Sequence, residues 1–95
     1  KAQNDGYVKD ILDMGDLSSK IKSFGWDTYV IDGHSLTDID LVMSKLRDHK
    51  KPVCVILDTL KGKGVSFMEG DEWHAKVPNK EEYLQSLKEL GYESN

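Results

Sequence analysis

Ninety-five residues, 38% of them hydrophobic, make at most one small domain with one modest core, marginal without help from neighbours. The 17 acidic and 13 basic residues leave a net charge of −4, which runs against a nucleic-acid partner, since that would favour a basic stripe. No stretch approaches the ~20 apolar residues that span a bilayer, no signal-peptide core is visible, and one cysteine, Cys54, excludes a disulfide framework or a paired-cysteine metal site within the chain.

The chain opens at Lys1, not at methionine, in the polar, turn-like stretch Lys1-Ala2-Gln3-Asn4-Asp5-Gly6, and reads as a cut made inside a longer protein. Asp16 suits a helix N-cap, because its carboxylate accepts from the free amides of the first turn. Leu17, Ile21 and Phe24 then share one helical face, Gly25 suits the position after the cap, and Trp26 falls where it would touch Ile21. A strand is predicted over 28–31, ended by Asp32-Gly33. The next helix starts near Ser35 or Thr37 and runs to about His49, with Leu36, Ile39, Val42, Met43 and Leu46 as its apolar stripe. Lys50 and Lys51 complement its C-terminal dipole, and Pro52 stops it.

Residues 53–60 follow as a second strand. Its run Val53-Cys54-Val55-Ile56-Leu57 is apolar without alternation, the pattern of a strand buried on both faces. Cys54 within it reads as a core residue and fits a reducing, cytoplasmic setting. Strand, helix and strand at this length predict a right-handed βαβ unit. A last helix begins after Asn79, with Glu82 three residues on as a capping box, carries Tyr83, Leu84, Leu87 and Leu90 as a stripe, and ends at Gly91. The fold class is therefore α/β with a parallel sheet. Two strands do not cover their own edges and faces, so their neighbours are expected from elsewhere.

Ligands of open α/β sheets bind beyond the carboxyl ends of the strands. Two loops fall there: Asp32-Gly33-His34-Ser35, and Lys61-Gly62-Lys63-Gly64 running on to Glu72-Trp73-His74. In the second, glycines let a ligand approach the main chain and lysines add positive charge, a combination that favours a phosphate. A solvated turn with two incidental lysines explains the same residues, and the P-loop motif is not met. His74 is open to both a surface and a catalytic reading. His34 reads as turn chemistry, His49 as a helix-end residue, and Asp38 and Asp40 as acids complementing the helix dipole.

The series Asp32-Gly33-His34, a helix, Lys51-Pro52, a strand to Thr59, Lys61-Gly62-Lys63-Gly64-Val65, Glu69 and Trp73-His74 resembles transketolase. More narrowly, it is similar to the diphosphate-binding domain of the two-subunit transketolases, with 1–95 as its C-terminal portion. The resemblance implies an incomplete fragment of the three-layer, parallel-sheet fold that binds thiamine diphosphate, containing the βαβ unit and a C-terminal helix. In that family the cofactor motif starts with Gly-Asp-Gly and ends in a pair of asparagines, immediately before a stretch like residues 1–6. The family's metal, Mg2+ or Ca2+, is held by the cofactor diphosphate, that Asp, an Asn and a main-chain carbonyl. Only the carbonyl, of Ala2, would belong to this chain. Asn4 falls where the family places a residue close to the cofactor, and His74 looks like the histidine that reaches the diphosphate and the substrate near the reacting carbon.

The implied chemistry is transfer of a two-carbon ketol unit between sugar phosphates, with the cofactor ring as electron sink and the protein supplying orientation and charge stabilisation. The resemblance also implies a cytoplasmic homo- or hetero-oligomer of carbohydrate metabolism, with a partner domain or subunit that binds the cofactor's pyrimidine. The glutamate that activates the cofactor lies in that partner, so the 95 residues alone are expected to bind no thiamine diphosphate and to be inactive. Two other readings are a 1-deoxyxylulose-5-phosphate synthase, which shares the cofactor and a similar loop, and a non-catalytic α/β assembly module.

Overall fold

The computed structural model describes residues 2–3 and 6–92. In chain order the elements are strands β1 (Ala2–Gln3) and β2 (Gly6–Tyr7), helices α1 (Val8–Ile11) and α2 (Leu17–Ser23), strand β3 (Asp27–Asp32), helix α3 (Leu36–Leu46), strand β4 (Val53–Asp58), a 3-10 turn (Ser66–Met68) and helix α4 (Lys80–Glu89). They divide into two compact units. One is contiguous, Met14–Thr59; the other joins residues 1–13 to 60–95.

The contiguous unit is built on β3 and β4, paired in parallel from Asp27 opposite Val53 to Asp32 opposite Asp58, as the α/β reading requires. Helix α2 starts where Asp16 caps it. Its carboxylate accepts from the Ser19 amide at 3.1 Å and from the Ser19 hydroxyl at 2.6 Å. These bonds, the hydroxyl's first, hold the Asp16 carboxyl below its ordinary 3.8. A carboxyl depressed by folding contributes stability that is present above its unfolded value and lost as pH falls through the lower folded value. We therefore expect α2 to fray as the pH drops below 3.8, followed by the Ser19 amide resonance, and expect Asp16→Ala to remove that pH dependence. Phe24 does not join the apolar face of α2. It occupies the C-cap, past the last helical turn, and stands 80% exposed.

In α3, Ser35 Oγ accepts from the Asp38 amide at 3.1 Å, which fixes the start at Leu36. The helix stops at Leu46, short of the expected His49. The His49 amide bonds back to Leu46 O, and its imidazole Nε2 pairs instead with Asp27 Oδ2 at 2.5 Å, tying the segment before β4 to the first residue of β3. Of the α3 stripe only Val42 is buried, at 5%, whereas Leu36 is 82% exposed. Strand β4 is likewise half-buried over 53–56 and not covered on both faces; Leu57 is 48% exposed. The cause is the same in both cases. Among the described residues this sheet has two strands, so its apolar run meets cover on part of its surface alone. At the carboxyl ends of the strands, Gly33 donates to Asp58 O at 2.9 Å, and a Cβ on Gly33 would lie 2.5 Å from Thr59 Cγ2, so this crossing requires glycine.

The second unit contains the β1–β2 hairpin, which sequence periodicity does not reveal, with Ala2 opposite Tyr7 and Gln3 opposite Gly6. Its Gly6 abuts Ile11, and a Cβ there would stand 3.8 Å from Asp71 Oδ2, so the hairpin rests beside the loop that follows β4. Val65 of that loop is buried at 7%. Helix α4 carries the full capping box: Asn79 Oδ1 accepts from the Glu82 amide, and Glu82 Oε2 from the Asn79 amide, each at 2.8 Å. At its other end Gly91 donates to Lys88 O and Tyr92 to Leu87 O, the two bonds of a Schellman ending. Tyr83, Leu84 and Leu90 of its stripe remain exposed, and the small Ser86 is the buried member of α4, its hydroxyl donating to Glu82 O at 2.7 Å. Among the described residues no helix is long and apolar enough to cross a membrane.

Candidate functional site

The segment from Lys61 to Lys76 folds by crossing over itself. Lys63 donates to Leu60 O, Val65 to Gly62 O and Met68 to Val65 O in successive turns, and Gly70 then donates to Lys61 O at 3.0 Å, closing the ring. At the crossing, a Cβ on Gly62 would lie 2.0 Å from Met68 O, with Gly62 at φ +76. The group that approaches this glycine's main chain is therefore the protein's own carbonyl. Gly62 thus has a structural role that the phosphate-loop reading did not contain.

Closing the ring brings the candidate residues together. Lys61 Nζ stands 3.2 Å from His74 Nδ1, thirteen positions away in sequence. An ammonium group is a donor without acceptor capacity, so a hydrogen bond here takes Nδ1 as the acceptor and goes with the tautomer whose N–H is Nε2. The pair thereby presents a Nε2–H beside a cation. Next to it, Phe67 meets the Trp73 ring edge-on, centroids 5.4 Å apart at 63°, and Lys76 Nζ lies 5.7 Å from the same indole. Ala75 adopts φ +63, the left-handed region that costs a side-chain-bearing residue about 1–2 kcal/mol. That turn sets the direction in which the chain leaves His74. Lys61 and Lys63 stand at one end of the segment and Lys76 at the other, and the acids Glu69, Asp71 and Glu72 lie between in sequence.

The donor chemistry here fits an anion. An ammonium and an imidazole stand together, whereas no group of three or more His, Cys, Asp or Glu side chains suited to a metal occurs among the described residues. Ala2 stands in β1, in the same unit as the Lys61–His74 pair. Asn4 lies outside the described residues. His34 sits in a turn where its amide bonds to Asp32 Oδ1 at 2.9 Å, as expected of turn chemistry. His49 is taken up by Asp27. Asp38 has its amide in the Ser35 cap at the start of α3, as a first-turn acid does. Cys54 is a half-buried free thiol in β4.

Sequence reasoning singled out Lys61 and His74 separately but did not pair them. It gave no role to Ala75 or Phe67, since neither a left-handed alanine nor an edge-on ring contact leaves a compositional trace.

No protein-family model matches this chain. It is 37% identical over 91 residues to one subunit of the apulose-4-phosphate transketolase of Actinobacillus succinogenes, covering 95% of this chain and 33% of that protein. It is 42% identical over 71 residues to the SqwG subunit of the 6-deoxy-6-sulfo-D-fructose transketolase of a Clostridium species, covering 74% and 26%. To the 1-deoxy-D-xylulose-5-phosphate synthase of Sulfurimonas denitrificans it is 40% identical over 50 residues, half of this chain and 8% of that enzyme. The chain thus spans about a third or less of the length of these curated relatives.

Proposed function

We propose that this chain, which looks like a fragment of a transketolase, supplies one wall of a thiamine-diphosphate site in a larger, cytoplasmic enzyme. The reaction is transfer of a two-carbon ketol unit between sugar phosphates, and residues 1–95 act as part of the diphosphate-binding domain. The observation that carries the reading is the Lys61–His74 pair, formed within a family-like segment at the end of a parallel strand. Its charge and its Nε2–H suit the diphosphate of the cofactor and an oxygen of a sugar substrate. Thiamine diphosphate, when bound, would supply the electron sink for breaking a carbon–carbon bond.

The chain's own residues bind and orient. Lys61 fixes the His74 tautomer and adds positive charge. His74 Nε2 holds a proton toward the substrate oxygen and exchanges it as charge develops there. Trp73, braced by Phe67, walls one side against water. Ala2 would contribute its main-chain carbonyl to a Mg2+ or Ca2+ whose other ligands would come from outside this chain, and Asn4 would lie close to the cofactor. A second polypeptide or domain that binds the cofactor's pyrimidine completes the site; that several relatives are named as subunits supports such an assembly. The synthase reading rests on a match to half of the chain and ranks second.

Calorimetric titration of thiamine diphosphate with Mg2+ tests the proposal. Binding is expected when the remainder of the diphosphate-binding domain and the pyrimidine-binding partner are present, and not with the chain alone. Micromolar binding by the isolated chain, or none by the assembly, contradicts it.

A further inference from the structure

Lys61 and His74 are far apart in sequence, and the 3-10 turn Ser66–Met68 stands between them as their common support. On one side, Met68 O abuts Gly62, next to Lys61, and Gly70 closes on Lys61 O. On the other, Phe67 holds Trp73, next to His74. The turn receives no side-chain cap from its own N-cap residue, Val65. Its first amide, Ser66 N–H, is instead accepted by Glu89 Oε2 at 3.2 Å, from the last residue of α4. The residue after Glu89 also reaches this segment: a Cβ on Gly64 would stand 3.2 Å from Leu90 Cδ2.

We propose that Glu89 is a positioning residue, which anchors the 3-10 turn from α4 and through it sets the geometry of the Lys61–His74 pair. A carboxylate at the positive end of a helical turn forms a charge-assisted bond with the exposed amide. The bond links α4 to a segment that touches the chain neighbours of both members of the pair, Gly62 and Trp73. Its catalytic consequence rests on the function proposed above; its structural consequence does not.

The test uses Glu89→Ala, which removes the acceptor, and Glu89→Gln, which keeps one. A third variant, Ser66→Pro, removes the donor instead. Proline suits the first helical position, and Val65 at φ −119, ψ 106 is already extended as a residue before proline must be. In the full chain, the imidazole nitrogen resonances of His74 are read against those of His49, which belongs to the other unit. Glu89→Ala and Ser66→Pro are expected to move the His74 resonances to a common new position with His49 unmoved, and Glu89→Gln to keep them near wild type. Unmoved His74 resonances in both disruptive variants, or His49 moving alongside His74 in both, overturn the positioning role.

In the assembled enzyme, Glu89→Ala is expected to lower kcat about fivefold and Glu89→Gln to restore it. Moved His74 resonances with unchanged kcat would sink the proposed function and leave the positioning role standing.

Discussion

Gly62→Ala is expected to lower stability by about 3–5 kcal/mol, the combined scale of a left-handed side-chain residue and a severe overpacking contact. The added methyl would meet the Met68 carbonyl oxygen and carbon at 2.0 and 2.5 Å, both of them main-chain atoms with no rotamer to change. Relief requires that Met68 withdraw, which opens the ring closed by Gly70 and Lys61. Gly25→Ala is the control, since Gly25 shares a positive φ of +85 but has nothing within 4 Å of its added Cβ. It should cost about 1–2 kcal/mol, the conformational component alone. Urea denaturation of the three proteins separates the cases. Equal midpoints for the two variants would show that the crossing at Gly62 tolerates a methyl group and that Met68 is not fixed there.

The second large effect concerns the pair itself. In the assembled enzyme, His74→Ala should reduce kcat by about 10²–10³, the range in which a positioned proton-transfer group contributes. Lys61→Met, which keeps the stem and deletes the charge, should cost less, about tenfold, and should fall more heavily on the apparent affinity for thiamine diphosphate than on kcat. The double variant should be no worse than His74→Ala alone if Lys61 acts through the imidazole, because residues that work as a unit are not additive. Steady-state two-carbon transfer with a sugar phosphate donor and an aldose phosphate acceptor measures all three. A His74→Ala enzyme with unchanged kcat would remove the histidine from the chemistry.

Much of this architecture is legible in the sequence because local chemistry determines it. Asp16, Ser35 and Asn79 each announce a helix start by a side chain that accepts from the first turn, and all three do so in the structure. The parallel pairing of β3 and β4 follows from two strands joined by a helix of ordinary length. Burial is less legible. The apolar run 53–57 and the α3 stripe state what these surfaces are suited to meet, not what meets them, so strand and helix fall where expected while their cover does not. Helix ends depend on tertiary partners, as His49 shows by leaving α3 for Asp27. The candidate site lies at the same boundary. Residue types mark the loop, but the contact between Lys61 and His74 depends on a backbone crossing, and local rules of the kind that place Asn79 say nothing about crossings.

The division of the chain also constrains the order in which it becomes ordered. Met14–Thr59 is one uninterrupted stretch, and its strand pairing needs nothing beyond Asp58. The other unit joins residues 1–13 to residues 60–95, which lie on either side of that stretch in sequence. Within residues 1–95, the segment that becomes β1 and β2 is made before Asp71, which lies beside Gly6, and before α4. Joining residues 1–13 to 60–95 closes a long loop, whose entropic cost is met only once both segments exist. The Lys61–His74 pair belongs wholly to this unit, so within residues 1–95 it forms only after the residues of the βαβ unit have been made.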